Sequence, residues 1–426
     1  MITLSPSQQA VVDAFPEFLM DDSKELCIAG HAGSGKTFLV QYLADMATKQ
    51  QQMVKLIDPK VPLRVMHFSA TTNKAAAVLQ EMLQKEVTTI HSLLGLTMTN
   101  NYKTGKVTLT KKLQGKNLTN SIVIIDEASM VNAELLKVIR EHCHPTHGCK
   151  IVWVGDSYQL PPVMEDVCPV FAESPNTHFL KEIQRQVEGS PIIQLSAMYR
   201  AALDDHTLDW PTIPNVGTTI MHYDKKENFF SAIEAAYKSE HGPDDYKVLA
   251  WSNTRVRDYN RWIRGFGNYT APFVAGEIVT TNKPLFYEKT IMASTDTRHT
   301  IRRATPATIG DIDGFMIELS GISYEFFQPN DWGKATALMQ TYAADAKKTM
   351  NWQPYFQIKQ NWTDLRPIHA STVHKAQGST YKEVFIDLAN ISKNNKWREV
   401  ARLVYVAITR ASHKVHIIGE LDSNYN

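Results

Sequence analysis

Gly30, Gly35, Lys36 and Thr37 stand at the spacing G-x-x-x-x-G-K-[ST] in the stretch GHAGSGKT. That spacing suits a loop that holds phosphates. Glycines let the backbone curl until several N–H groups point at one anion. The lysine adds a point charge for the outer phosphates, and the threonine hydroxyl is a hard oxygen ligand for magnesium. Ala32, Gly33 and Ser34 complete the cradle. The flanks set the context: KELCIAG reads as a short apolar strand entering the loop, and TFLVQYLADMATKQ as an amphipathic helix leaving it. The N-terminus of that helix adds its own pull on the anion.

Two further stretches complete a hydrolytic set. In NSIVIIDEASMV, the β-branched run Ile122 to Ile125 precedes Asp126 and Glu127. It predicts a buried parallel strand with carboxylates at its C-terminal end, where α/β sheets place their sites. Asp126 can hold magnesium, directly or through water, and Glu127 can polarise an attacking water. In KIVWVGDSYQLPPV, residues 151–154 read as a strand and Gln159 lies just beyond it. A neutral amide there can sense a terminal phosphate or orient water. Pro161 and Pro162 stop any helix.

The whole chain must position these groups. At 426 residues it exceeds the roughly 250–300 that one core serves, so two or more domains are expected. Hydrophobic residues at 43% and charged ones at 21% are those of a soluble globular protein. The net charge of +1 gives no overall field, so a polyanion must be gripped by local patches. No apolar run approaches the ~18 residues of a membrane span, and MITLSPSQQAVVDAF lacks the features of a signal peptide. Cys27, Cys143, Cys149 and Cys168 are too few for a disulfide scaffold, so a reducing, cytoplasmic setting is expected.

Residues 101–116 carry five lysines and no acid, and they read as part of a basic β-hairpin turning at Thr104-Gly105. Such a hairpin suits contact with phosphates or separation of a duplex, though a solvated loop has the same composition. WSNTRVRDYNRWIRG, with four arginines, reads as a helix that either follows a nucleic-acid backbone or is a plain amphipathic surface helix. EHCHPTHGC crowds Cys143, His144, His147 and Cys149, but too tightly for the usual zinc spacings, so a turn is expected there.

In their order, these stretches resemble the motifs of superfamily 1B DNA helicases, the RecD/Dda-like branch. LSPSQQAVVDAF is similar to the opening glutamine motif, in which Gln8 would touch the adenine. FSATTNKAAAVL resembles motif Ia, with Thr71 on the DNA backbone, and TTIHSLLG offers Thr89 and His91. IIDEASM and VGDSYQLPPV resemble motifs II and III. LKEIQRQ resembles the stretch carrying a first arginine finger, Arg185. ASTVHKAQGSTYKEVFID resembles motif V, with Thr372 and His374 on DNA and Gln377 and Gly378 facing the nucleotide. LVYVAITRAS resembles motif VI, with Arg410 as second finger. An arginine reaching a γ-phosphate from another domain stabilises transition-state charge and ties nucleotide binding to domain closure.

The resemblance implies an α/β chain of two RecA-like P-loop domains, residues 1–92 with 117–180 and 181–269 with 367–426. An inserted β-hairpin pin would occupy 93–116, and an SH3-like β-barrel carrying a helical arm 270–366. It implies ATP and Mg2+ as ligands, and 5′ to 3′ translocation on single-stranded DNA with unwinding of forked DNA in replication, recombination or repair. It further implies a monomer, a single-strand-binding protein as partner, and the host cytoplasm if the source is a phage. The rivals are an RNA helicase of the same superfamily, a P-loop phosphotransferase and a DNA-binding scaffold with a dead ATPase site.

Overall fold

The computed structural model describes residues 4–111, 118–162, 165–182, 190–204, 210–239, 245–267, 269, 271–287 and 290–421. The strand Ser121–Asp126 shows how the first half is built. Ile122 and Ile124 pack under the helices Pro6–Met20, Lys36–Ile57 and Asn73–Leu83, while Val123 and Ile125 pack on the other face with Leu135 and Ile139 of the helix Ala133–His142. Side chains alternate across a strand, so a continuous β-branched run is what a sheet covered on both faces requires. The sheet has six parallel strands in the order Val87–Thr89, Val65–Ala70, Ser121–Asp126, Lys150–Gly155, Glu25–Gly30, Thr177–Leu180. The C-terminal ends of three of these strands carry the phosphate loop, Asp126 and the turn leading to Gln159.

The second half repeats the plan. Five parallel strands run in the order Ala370–Thr372, Tyr246–Ala250, Tyr381–Asp387, Ala411–Ile418, Ile220–Tyr223. Val384 and Ile386 pack against the helices Pro191–Asp204 and Trp397–Thr409, and Phe385 packs on the opposite face with Phe229 and Tyr259. The arginine-rich helix is Asn253–Arg264. Its Arg255 bonds Asp387, and its Arg264 donates to both oxygens of buried Glu277, so two of its arginines serve the protein itself.

Between these strands lies a five-stranded antiparallel sheet, ordered Glu325–Pro329, Ile312–Leu319, Arg298–Ile309, Ile278–Thr281, Leu365–Pro367. Its edges meet: Thr363 N donates to Phe327 O at 2.7 Å, and Leu365 N to the Gln328 side chain at 2.7 Å. The run 331–352 reads as one helix in the sequence. The structure ends that helix at Thr349, because Met350 turns left-handed at φ +55°, and a second helix, Gln353–Asn361, returns.

Leu96–Asn100 pairs antiparallel with Val107–Lys111 to make a hairpin. Its tip docks on the returning helix: Trp352 N donates to Tyr102 O at 2.8 Å, and the rings of Tyr102 and Phe356 meet edge to face at 5.5 Å. Gly105, at φ +71°, lies so close that a Cβ there would stand 2.5 Å from the Trp352 ring. Among the described residues, no helix is long and apolar enough to cross a membrane.

Candidate nucleotide site and the cleft between the sheets

The phosphate loop leads from the strand Glu25–Gly30 into the helix Lys36–Ile57. Gly33 and Gly35 sit at φ +83° and +78°, in the left-handed region that glycine enters without strain. A Cβ at Gly30 would stand 2.5 Å from Ser34 Oγ. Lys36 Nζ donates to Gly30 O at 2.7 Å and His31 O at 2.9 Å, which keeps the ammonium over the loop.

Ala32, Gly33, Gly35, Lys36 and Thr37 line a cavity of about 310 Å³ together with Asp126, Glu127, Gln159, Gly378 and Arg410. Asp126 accepts a bond from Glu127 N at 2.8 Å, and burial raises its carboxyl above the usual range. Glu127 stands at φ +54°, a strained position for a glutamate. Burial, then the neighbouring Asp126 charge, pushes its carboxyl up to about 7, against the pull of Arg410 and Lys36. Its Oε2 is buried with no partner among the described residues, and so is Gln159 Oε1. Both are acceptors at the cavity, where an attacking water needs one.

Thr37 and Asp126 share that cavity, and among the described residues no group of three or more His, Cys, Asp or Glu is placed to hold a metal ion. One hydroxyl and one carboxylate fit magnesium, which keeps waters and takes phosphate oxygens rather than an all-protein cage.

Arg410 caps the helix Trp397–Thr409 of the second sheet. Its guanidinium is aimed by Val406 O at 3.2 Å, Ser379 O at 3.1 Å and Thr409 Oγ1 at 3.1 Å. Gly378, at φ +68°, brings the second sheet's loop so near that a Cβ would lie 3.6 Å from Glu127 Oε1. Arg185 lies outside the described residues.

Two residues expected at the nucleotide, Gln8 and Gln377, are hydrogen-bonded within the protein. Gln8 accepts from Ser5 N at 3.0 Å in a capping box and donates to Ser34 O at 3.1 Å, so its amide ties the first helix to the phosphate loop. Gln377 donates to Leu160 O at 3.4 Å, and neither glutamine lines the cavity.

The cleft is bridged by groups that motif reasoning did not single out. Tyr405 donates to buried Asp156 at 2.7 Å. Arg402 donates to Ser157 O at 2.9 Å and Gln159 O at 2.6 Å. Tyr158 donates to Asp204 at 2.8 Å. The helical spacing of Arg402, Tyr405 and Thr409 was the available signal, since it puts them on one face with Arg410 just beyond. Arg200 has buried Nε and Nη1 without a partner among the described residues; with burial, its charge holds His31 down to about 4.

The expected DNA contacts form a repeated device. Each sheet has a short edge strand that ends in a threonine cap and runs into a one-turn helix: Thr89 before Ile90–Leu93, Thr372 before Val373–Ala376. Thr89 Oγ1 accepts from Ser92 N at 3.2 Å and Thr372 Oγ1 from Lys375 N at 3.4 Å. His91 and His374 follow two residues on, and burial lowers the pKa of both rings. Thr71 donates to Glu127 O at 3.3 Å, which links motif Ia to the catalytic turn. Thr372 lines a second cavity of about 300 Å³, and His374 a third of about 450 Å³. In the crowded cysteine stretch, Cys149 Sγ donates to Leu118 O at 2.9 Å and His144 caps the turn Pro145–His147; Cys143 is buried.

A phosphate loop on one RecA-like sheet, closed by an arginine from another, defines a two-domain P-loop nucleotide hydrolase. The family model "AAA domain" matches residues 3–211, and "UvrD-like helicase C-terminal domain" matches 367–418. The chain is 24% identical to the ATP-dependent DNA helicase dda of phage T4, across 97% of this chain and 99% of that one. It is 21% identical to an uncharacterised protein of Acanthamoeba polyphaga mimivirus, again over 97% and 99%. Over 38% of this chain and 34% of the relative, it is 30% identical to the ATP-dependent DNA helicase Pif1 of Bdellovibrio bacteriovorus. Among solved structures, a Bacteroides Pif1 helicase with ADP-AlF3 and single-stranded DNA matches with TM-score 0.51 at 14% identity, covering 100% of this chain and 94% of that one. The chain is homologous to the DNA helicases Dda, Pif1 and RecD.

Proposed function

We infer that this protein is an ATP-dependent DNA helicase that moves 5′ to 3′ on single-stranded DNA and opens forked duplexes. The observation that carries it is Arg410, from the second sheet, lining one cavity with Lys36, Asp126, Glu127 and Gln159 of the first. A phosphotransferase needs no such second sheet. The loop amides and Lys36 hold the outer phosphates of ATP. Glu127 accepts a proton from the attacking water, and Gln159 orients it. Arg410 stabilises the charge that develops on the transferred phosphoryl group. Thr37 and Asp126 would hold magnesium, which would supply positive charge that offsets the phosphates. Arg185 is proposed as a second finger.

Closure around ATP draws the two sheets together, and hydrolysis releases them, so the grips at Thr71, Thr89 and His91 and at Thr372 and His374 alternate along the strand. The division proposed is residues 1–92 with 117–180, 181–269 with 367–426, the pin at 93–116 and the barrel with its arm at 270–366. We propose a cytoplasmic monomer, in the host if the source is a phage, working beside a single-strand-binding protein.

Strand separation on two partial duplexes tests this reading, one with a 5′ tail and one with a 3′ tail. Opening of the 5′-tailed substrate alone, lost in Lys36→Ala, is expected. Opening of the 3′-tailed substrate alone would reverse the direction. ATPase activity indifferent to DNA, with neither duplex opened, would sink the helicase reading.

A further inference from the structure

The helix Pro191–Asp204 stands between the second sheet and the phosphate loop. Leu195 and Tyr199 pack it into the second sheet's core. Ile193 and Ser196 line a further cavity, of about 290 Å³, with Ala32 and Gly33 of the loop. Arg200 lies one turn beyond Ser196 on the same face. Asp204, a turn further, accepts from the Tyr158 hydroxyl at 2.8 Å, and the Tyr158 ring centre lies 5.8 Å from that of His31. His31 is the loop residue that follows Gly30. The two halves of the molecule therefore meet around its side chain.

That junction holds polar atoms that the hydrolytic set leaves unused. Arg200 Nε and Nη1 are buried donors with no partner among the described residues, and His31 Nδ1 is buried and equally unmatched. Burial, then the Arg200 charge, holds the pKa of the His31 ring down to about 4 against the pull of Asp156 and Asp204. The ring is therefore neutral at pH 7, and a neutral ring offers one nitrogen as an acceptor. Unmatched donors on one half and an unmatched acceptor on the other are each costly alone, and they are complementary together.

We propose that Arg200 is a positioning residue for ATP hydrolysis: in the closed, ATP-bound state it donates to His31 Nδ1 and latches the phosphate loop to the second sheet. The inference rests on the reading of closure around ATP and adds a contact to it. Arg200 does not line the cavity that Lys36 shares with Arg410, so it acts on the loop and not on the phosphates. Lys36 donates to the carbonyls of Gly30 and His31, and it gives up both when it turns to the outer phosphates. The start of the loop then loses its internal tie, and the latch replaces it from the other half. ADP, which lets the halves part, leaves the latch unmade.

Binding of mant-labelled ADP and of a mant-labelled non-hydrolysable ATP analogue to the full chain, read by fluorescence, tests this in a double-mutant cycle. Arg200→Ala and His31→Ala are each expected to weaken the analogue by about tenfold, the worth of one hydrogen bond from a charged group. The double variant is expected to lose about the same tenfold, because either change alone removes the whole latch. ADP affinity is expected to hold in all three. Arg200→Gln, which keeps the packing of the stem, is expected to behave as Arg200→Ala does. His31→Asn, whose amide oxygen can stand in for Nδ1, is expected to keep most of the analogue affinity. Losses that add in the double variant, or equal losses for ADP and the analogue, would overturn the latch and leave the nucleotide site standing. A wild-type chain that bound neither nucleotide would overturn both.

Discussion

Glu127 combines three costs in one residue: a left-handed backbone, a desolvated carboxyl and a carboxylate neighbour. Strain of this kind persists where the surroundings over-determine it. Glu127→Gln keeps the size and removes the proton acceptor. We expect kcat for ATP to fall by about 10² to 10⁴, the worth of a general base, with oligonucleotide affinity retained. Single-turnover hydrolysis with excess enzyme checks it; an unaltered rate would remove Glu127 from the chemistry. Arg410→Lys keeps a charge but loses the planar fork that Val406, Ser379 and Thr409 aim. A fall of kcat by about 10³ or more is expected. A fall in ATP affinity alone would make Arg410 a binding residue. At this scale the sequence was legible where chemistry is local: the loop, the acidic pair and Arg410 are set by spacing and by the strands or helices that carry them. The partners that Gln8 and Gln377 hold within the protein, Ser34 and Leu160, are tertiary, and an amide in a sequence announces no such partner. The bond from Lys74 Nζ to the Tyr381 hydroxyl joins residues 307 apart in sequence, and no local pattern encodes it.

The hairpin and the returning helix Gln353–Asn361 act as one element. The alternation of TMTN and KVTLT announced the hairpin. The returning helix stayed hidden, because the break at Met350 is a backbone turn at a residue with no turn preference. The Tyr102–Phe356 contact is worth about 0.5–1.5 kcal/mol as an aromatic pair. Gly105→Ala strikes the junction harder, since a left-handed position and the Trp352 ring both oppose a Cβ. In this variant, DNA-stimulated ATPase should persist while opening of a forked duplex falls severalfold. Paired measurement of the two rates on one preparation checks it. Equal losses in both would mean that the junction supports the fold and not strand separation.

At the scale of the whole molecule, the question is what makes the two sheets move as one. Arg402 and Tyr405 hold the turn carrying Gln159, and Arg410 caps the C-terminus of the same helix. A γ-phosphate that draws in Arg410 therefore carries with it the helix that grips Asp156 and Ser157. On the proposed function, closure and catalysis are one displacement, because the groups that serve each share one helix. Cutting the grip while keeping the finger separates them. Arg402→Gln removes two bonds to backbone carbonyls in the turn. Tyr405→Phe leaves the buried Asp156 carboxylate short of a donor, at a cost of about 1–3 kcal/mol. All four native cysteines are buried, so dyes can be placed selectively on Leu56→Cys and Lys393→Cys, both exposed and on different sheets' helices and loops. In the wild-type background, energy transfer should differ between ADP and a non-hydrolysable ATP analogue. With Arg402→Gln the difference should shrink while analogue binding persists, and opening of duplexes should fall further than hydrolysis does. If the labelled wild type gave the same transfer in both nucleotide states, nucleotide-driven closure would be refuted. If Arg402→Gln kept the full difference, Arg410 alone would carry the signal and the turn at Gln159 would follow it passively.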